Sequence, residues 1–425
     1  MWLLGVVNRW WLLKGLPLLR RIPRLRDLPL VRGHFRIQHV DIPSADRERL
    51  RNAVNPNTAA FLGPNHPEFG LDWMMDKEIS TFVAPHVASW AEHGIVASAP
   101  AFWTRNNLIS NRGGEAAAEY SVDWALRGRG VLLHPEGTVH WTANKIHPLF
   151  HGIAELATEA ARRASAATID RRVFIVPIVW KFRYVGDVSA GMHREMAIIE
   201  TALGLDRLHG VSVERRFHHL QEGILARQMA RFGFDRGNVA GHDFFSRQER
   251  FQRHLLDDLE SRHTVEWTEV IARRMSRLDR AIKAKARATP CAGLQHDVEK
   301  IEEASRLGGF SREVYGTPTL SQEQIFESLK RARSRLLVRG VRNAIHNFLP
   351  TPYGPRVAHV RIPEPILVDA ARCSGAPDER DAYVTSLIDR TRQAMQDTLD
   401  AINREIASDV APFSRPNPFF TIAKA

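Results

Sequence analysis

The stretch AAFLGPNHPEFGLD, residues 59–72, decides how the first part of the chain folds. Its first four residues are an apolar run of the kind that forms a buried strand, and the following Gly-Pro predicts a loop. His66, Glu68 and Asp72 then follow in quick succession. In open α/β sheets, ligands collect where strands end. This polar turn is therefore the first candidate for a functional site.

The segments that follow repeat the pattern of apolar strands and helices. Further strands are predicted in HFRIQHVDI (34–42), NLISN (107–111), VLLHPEGT (131–138) and RRVFIVPIVWKFRYV (171–185). Helices are predicted over 44–54 with Ser44 as the N-cap, from Asp72 to about Val87, over 113–130 and over 152–167. This alternation favours an α/β fold with a mostly parallel sheet flanked by helices. The polar loops at His66, Arg112 and Glu136 would then open at one edge of the sheet.

The second half of the chain has a different texture. Residues 186–350 are rich in charge and helical in pattern, without a convincing buried strand, whereas RVAHVRIPEPILVD (356–369) again reads as a strand. An isolated strand cannot form a sheet of its own, so we expect it to join the first sheet. Four regions are predicted: an interfacial segment (1–36), the α/β core (37–185), a charged helical insertion (186–350) and the closing strand and helix of the core (351–425).

The first 36 residues combine apolar and basic side chains. They carry eight Lys/Arg and one acid, in a chain of net charge +11. Arg9 and Lys14 interrupt the apolar run too early for a membrane span, which needs about 20 apolar residues. Tryptophans with flanking cations favour an interfacial segment on an anionic leaflet; packing on the protein's own core is the alternative. We therefore expect a cytoplasmic protein peripherally associated with the membrane.

Two cysteines, Cys291 and Cys373, stand far apart in the chain. Their number and spacing argue against a disulfide framework and against a cysteine-based zinc site, and favour a reducing compartment. Four histidines follow one another between residues 134 and 151, but not at the spacing that places two ligands on one helical face. No metal site is predicted.

Four stretches in a fixed order carry a family resemblance: NHPEFGLD (65–72), NLISNRGG (107–114), LLHPEGT (132–138) and FIVPIVW (174–180). Over residues 61–185 the chain resembles the glycerolipid acyltransferases, the acylglycerol-phosphate acyltransferases and their relatives. That family has Asn-His-(four residues)-Asp, a strand ending in arginine, Phe-Pro-Glu-Gly-Thr and Val-Pro-Ile-Val-Pro. The closing VRIPEPILVD also looks like the last strand of that domain.

The resemblance implies acyl transfer in phospholipid synthesis, from acyl-CoA or an acyl carrier protein to a lysophosphatidate-like lysophospholipid, without a cofactor. Histidine suits a general base at neutral pH, and a carboxylate can fix its tautomer. His66 would be the base, and Arg112 would bind the acceptor phosphate with its planar fork. Glu136 and Gly137 match the family's acceptor-binding pair, with Thr138 adding a hydroxyl. Glu136 is expected to position Arg112 or an acceptor hydroxyl, and Pro177 to shape the end of its strand.

Three positions depart from the family pattern. Five residues separate His66 from Asp72 where the family has four, and on one ideal helix this would leave the two side chains ~120° apart. Asp72 is the predicted partner, with Gly70 absorbing the extra residue, while Glu68 and Asp76 stay open as alternatives. His134 replaces the family's phenylalanine, and His151 stands near the place of a lysine that the family often carries. Both substitutions are expected on the acceptor side.

Two other functions fit parts of the sequence. A hydrolase or thioesterase would use the same histidine and carboxylate on water. A basic helical module with an inactive core would bind membrane or nucleic acid through faces such as the one between residues 273 and 285. Basic helices are more often solvated faces over a packed one, so nucleic acid is not an expected partner.

Overall fold

The structure is a computed structural model. It describes Ile22 and residues 37–68, 72–84, 86–137, 139, 141–167, 170–264, 271–289, 291–337 and 353–420. The predicted interfacial segment 1–36 therefore lies outside the described residues apart from Ile22, and so do Gly70 and Thr138.

Ten strands are defined among the described residues. They are β1 (Ile37–Asp41), β2 (Thr58–Pro64), β3 (Ala88–Ala91), β4 (Leu108–Ser110), β5 (Val131–Leu132), β6 (Arg172–Tyr184), β7 (Thr319–Leu320), β8 (Arg356–Arg361), β9 (Ile366–Leu367) and β10 (Arg415–Pro416).

Helices connect most of these strands. They are α1 (Ser44–Ala53), α2 (Asp72–Phe82), α3 (His93–Ser98), α4 (Pro100–Arg105), α5 (Gly114–Leu126), α6 (Gly152–Ala166), α7 (Ser189–Leu203), α8 (Val213–Arg231), α9 (Phe244–Arg262), α10 (Ile271–Ala288), α11 (Ala292–Gly309), α12 (Arg312–Tyr315), α13 (Gln322–Leu336), α14 (Ala370–Cys373), α15 (Pro377–Glu405) and α16 (Ala407–Val410). Short 3-10 turns cover Arg236–Val239 and Ala411–Phe413.

The described residues divide into two compact units. The first lies within residues 1–186 and 347–409, and the second within residues 187–346 and 410–425. The second unit is helical, with a short antiparallel pair of β7 and β10. Described residues 410–420 group with this second unit, although the sequence assigned 351–425 to the core. No helix in the described part of the chain is long and apolar enough to cross a membrane.

The first unit is built on one eight-stranded sheet. Its strand order is β1-β8-β6-β2-β5-β3-β4, and β9 pairs with β6 outside this path. Strand β2 is parallel to both β5 and β6, and β3 is parallel to both β5 and β4. Strand β8 lies parallel to β1 and antiparallel to β6, so the closing strand joins the first sheet. The predicted α/β fold with a mostly parallel sheet and flanking helices is confirmed.

Burial explains why these strands read as continuous apolar runs. Every residue of β2 is buried, and so are nearly all residues of β6. Strands of parallel sheets are covered by helices on both faces, so they need apolar side chains in both directions. Helix α6 contacts β2 and β6, and α15 contacts β6 and α6. The centre of the sheet is therefore buried, and the polar turn that contains His66 follows β2 at its carboxyl end.

Pro177 lies in the middle of β6, not at its end as the sequence suggested. Residues 172–178 pair with β2, and residues 179–184 pair with β8. The carbonyl of Ile178 accepts a hydrogen bond from Asn65 on the β2 side, so the neighbouring Pro177 faces the opposite side. That side is the gap between β9 and β8, where a missing N–H breaks no ladder bond.

Two local predictions are wrong. Pro43, not Ser44, is the N-cap of α1, and it makes no side-chain capping bond. Helix α2 ends at Phe82 rather than near Val87, and Ala88–Ala91 then form β3, a strand that was not predicted from the sequence. Pro85 in the sequence is incompatible with a continuing helix. Four residues are too few to show a strand period, so β3 is defined by its pairing with β4 and β5.

Candidate active site

Asn65 extends the pairing of β2 and β6 beyond the end of β2. Its backbone N–H donates to the carbonyl of Ile178 at 3.0 Å. Its side-chain Nδ2 donates to the Trp180 carbonyl at 3.0 Å, and its Oδ1 accepts from the Trp180 N–H at 2.9 Å. The amide side chain thus replaces a backbone partner, and it fixes the chain immediately before His66.

His66 and Asp72 are in hydrogen-bond contact. Nδ1 of the imidazole contacts Oδ2 of the carboxylate, and the indole Nε1–H of Trp180 donates to the other oxygen, Oδ1, at 3.0 Å. The Asp72 side chain is 2% exposed and the His66 side chain 19%. A buried carboxylate with two hydrogen-bond contacts therefore fixes an imidazole ring that is partly exposed.

Burial raises the pKa of the Asp72 carboxyl well above its usual range, and the nearby carboxylates of Asp76 and Glu68 raise it further. Hydrogen bonds from Trp180 and from the Glu68 backbone act in the opposite direction. Asp72 also opens α2, where the helix dipole favours negative charge. A carboxylate with raised proton affinity is a strong acceptor for an imidazole N–H.

The extra residue between His66 and Asp72 causes no misalignment of the kind expected on one helix. His66 lies in the irregular segment that follows β2, and Asp72 is the first residue of α2. The two residues therefore do not lie on one helix, and the separation of ~120° that an ideal helix would give does not arise. Gly70, which was predicted to absorb the extra residue, lies outside the described residues.

The other two carboxylates of the stretch have different partners. Glu68 Oε1 accepts a hydrogen bond from Arg356 of β8 at 2.5 Å, and both side chains are buried. The Arg356 guanidinium lies over the Phe182 ring. Asp76 Oδ2 lies 3.3 Å from Nε2 of His134. Of the three candidate carboxylates, the structure brings Asp72 to His66.

His134 lies against His66. The two imidazole rings stack with their centroids 4.2 Å apart and their planes 22° from parallel. Burial alone would lower the pKa of His134, but the Asp76 carboxylate, the Asn65 carbonyl and Glu136 together raise it. The expectation that His134 lies on the acceptor side stays a prediction.

Glu136 connects two loops at the site. Its Oε1 accepts the backbone N–H of His66 at 2.6 Å, and its Oε2 accepts the N–H of His147 at 2.9 Å. Burial raises the pKa of Glu136 to about 7, against the lowering effect of these two bonds, of His134 and of Arg392. The described bonds of Glu136 tie His66 to the loop before α6 and do not reach Arg112, while the expectation that Glu136 positions an acceptor hydroxyl stays a prediction.

Gly137 and Thr138 follow in the same turn. Gly137 has φ +69°, and a Cβ there would meet the ring of Phe150 at 2.6 Å. Both the left-handed backbone and the close ring therefore require glycine at this position. Thr138 lies outside the described residues.

Like His66, Arg112 follows the carboxyl end of a strand, but the two residues lie far apart along the sheet. It is exposed in the turn after β4, and its backbone N–H donates to Ser110 Oγ at 3.3 Å. Strands β5 and β3 separate β4 from β2. At ~4.8 Å per strand, the ends of β2 and β4 are roughly 14 Å apart. The structure thus places Glu136 beside His66. Arg112 lies after β4, the last strand on that side of the sheet.

Two groups among the described residues bring three metal-ligand side chains together. His66, Asp72 and His134 have donor atoms within 4.8 Å of one another, and so do Asp41, His359 and Glu405. In the first group, both ring nitrogens of His134 face hydrogen-bond acceptors. In the second, Arg361 already donates to Asp41 and Glu405. Neither arrangement fits a metal ion, and no metal enters the mechanism below.

Neither a scan against models of known protein families nor a search of curated proteins returns a match for this chain. The resemblance to glycerolipid acyltransferases therefore stays a prediction, and what the site can do is argued from its geometry. A carboxylate-fixed imidazole at the end of a buried strand can remove a proton from a bound hydroxyl, thiol or water.

A Glu136→Gln variant should change how stability depends on pH. Because the pKa of Glu136 rises from 4.5 to about 7 on folding, its stabilising contribution is present below pH 4.5 and is lost as the pH rises through 7. The free energy of unfolding of the wild type should therefore fall relative to the variant between pH 5 and 8, at most by about 1.4 kcal/mol per pH unit.

Chemical denaturation at a series of pH values measures this difference. Glu115→Gln, at an exposed position in the first turn of α5, reports the effect of removing a surface carboxylate. A difference between wild type and Glu136→Gln that stays constant from pH 5 to 8 would contradict the raised pKa.

Proposed function

We propose that the protein is an O-acyltransferase that moves a fatty acyl group from acyl-CoA or acyl carrier protein to a hydroxyl of a lysophospholipid. The observation that carries this proposal is the contact between His66 Nδ1 and Asp72 Oδ2 at the end of β2. The four sequence blocks of the predicted family lie between the end of β2 and the start of α2, in β4 and the turn after it, at the end of β5 with the loop that follows, and in β6. Three of these blocks supply His66, Asp72, Glu136 and Trp180 to one cluster of hydrogen bonds.

The proposed reaction follows from the orientation of the His66 ring. Asp72 accepts a hydrogen bond from the Nδ1–H group of His66, so the tautomer with its lone pair on Nε2 is favoured. Nε2 takes the proton of the acceptor hydroxyl as its oxygen attacks the thioester carbonyl. The new C–O bond forms, the C–S bond breaks, and the leaving thiolate takes the proton back from the imidazolium. Asp72 stabilises that imidazolium, and no covalent enzyme intermediate is required.

The acceptor would lie along the carboxyl edge of the sheet, between His66 and Arg112. An exposed arginine at the outer end of this edge suits a phosphate group on the acceptor, because its planar fork binds phosphate bidentately. Glu136 and Gly137 shape the turn beside His66 and so support acceptor binding indirectly. We also propose that residues 1–36 hold the enzyme on an anionic leaflet at the cytoplasmic face, a proposal that rests on their composition.

The central test is acyl transfer from labelled acyl-CoA to a panel of lysophospholipids. His66→Ala removes the base and Asp72→Asn removes its partner. We expect each to lower kcat/KM by at least about 100-fold, the lower end of what general acid–base catalysis contributes. His209→Ala and Asp123→Asn change the same residue types at exposed positions and should retain wild-type rates.

The products distinguish the possible outcomes. Acylated lysolipid that depends on His66 supports the proposal. Free fatty acid formed at the same rate with and without an acceptor would show a thioesterase that uses the same pair on water. Equal transfer by wild type and His66→Ala, with both folded by circular dichroism, would refute the proposed mechanism.

Arg112→Ala should weaken binding of phosphate-bearing acceptors selectively. Loss of a charge-assisted contact of about 1.5–3 kcal/mol predicts a KM for lysophosphatidate that is roughly tenfold or more higher. The KM for a monoacylglycerol, which lacks the phosphate, should be unchanged. Arg105→Ala is the matched control, because Arg105 is an exposed arginine at the end of α4. An equal change for both acceptors would exclude Arg112 from phosphate recognition.

A further inference from the structure

His134 has a contact with the proposed base that its sequence motif does not explain. It follows β5, and its ring stacks on His66 with 4.2 Å between centroids. Its Nδ1 lies 3.1 Å from the Asn65 carbonyl oxygen, and its Nε2 lies 3.3 Å from Asp76 Oδ2. Its side chain is 13% exposed, so these two partners and the neighbouring rings largely enclose it.

Both partners of the His134 ring are hydrogen-bond acceptors. A carbonyl oxygen can only accept, so Nδ1 must carry a proton. An ionised carboxylate also only accepts, so Nε2 carries a second proton when it bonds to Asp76. The imidazolium form of His134 satisfies both contacts at once, and the Asp76 carboxylate balances its charge. The direction of its pKa shift agrees with this assignment.

The charged and titratable groups around the two rings, and the partners of those groups, come from five parts of the fold. Helix α2 contributes Asp72 and Asp76, the turn after β2 contributes Glu68, and the loop after β5 contributes Glu136. Arg356 of β8 faces Glu68, and Arg392 of α15 lies near Glu136. His134 is thus the titratable group in ring contact with His66, while Asp72 is the carboxyl group bonded to it.

We propose that His134 is a positioning residue whose imidazolium, held by Asn65 and Asp76 and stacked on His66, keeps the His66 imidazole unprotonated at neutral pH. A second positive charge on His66 would lie about 4 Å from the first in a mostly buried site, where like charges repel strongly. This repulsion opposes the effect of Asp72, which favours the imidazolium of His66. The balance leaves His66 in the form that a general base needs.

The proposal rests on the proposed function, because it gives His66 the role of base. The proposal predicts that the fall of kcat/KM at low pH is caused by protonation of His66. The pH at which this fall occurs should depend on the charge of His134. His134→Phe keeps an aromatic ring of similar shape and removes the charge. His134→Gln keeps a donor toward the Asn65 carbonyl or Asp76 and also removes the charge, so it serves if the phenylalanine variant does not fold.

The experiment is a histidine side-chain NMR titration of full-length, ¹⁵N-histidine-labelled protein, with the pH profile of kcat/KM as a second readout. His66→Ala and His134→Phe assign the two resonances by their loss. In the wild type, His134 should still carry both protons at the pH where His66 has lost one. In His134→Phe and His134→Gln, the His66 midpoint should rise by about one pH unit or more.

The same shift should appear in catalysis. With the acid limb displaced upward by one unit, kcat/KM on that limb should fall roughly tenfold, while the plateau at high pH changes less. An unmoved His66 midpoint in both variants, or a His134 that is neutral at pH 7 in the wild type, would overturn the proposal. A midpoint that shifts in a protein without transferase activity would instead refute the proposed function and retain the His134 interaction.

Discussion

Two hydrogen bonds between the Asn65 side chain and the Trp180 backbone hold the site in place. They continue the β2–β6 ladder past Pro64, where β2 ends. The Trp180 indole then donates to Asp72, so one residue of β6 positions both the segment before His66 and the carboxylate that contacts it. Buried amide groups that lose their partners cost about 1–3 kcal/mol each. Because breaking the two bonds would incur this cost, they hold the turn in a single arrangement.

The carboxylates around His66 pose the second constraint. Glu68, Asp72, Asp76 and Glu136 are all buried within one small region, and buried charges require partners or protons. Arg356 accompanies Glu68, His66 accompanies Asp72, His134 accompanies Asp76, and backbone N–H groups accompany Glu136. Each carboxylate thus has different partners, and Asp72 remains bonded to His66.

Local pattern was sufficient for the long strands and most helices of the first unit, because their apolar residues recur with a clear period. It failed for β3, whose four residues are defined by pairing with neighbouring strands. The spacing after His66 favoured Asp72, and the helix predicted from Asp72 begins at that residue, but only the structure shows the Asp72 carboxylate in contact with His66. The sequence placed His134 after β5 but did not show that its ring stacks on His66. Likewise, Arg356 contacts Glu68 from a strand 288 residues further along the chain. Such contacts depend on strand order, which one sequence does not reveal.

The central claim is that His66 and Asp72 act as one catalytic unit in acyl transfer. A double-mutant cycle tests it most directly, with kcat/KM measured for wild type, His66→Ala, Asp72→Asn and the double variant. If Asp72 acts only through His66, the double variant should be no slower than His66→Ala alone. Losses that multiply, so that Asp72→Asn slows the enzyme equally with and without His66, would contradict the account.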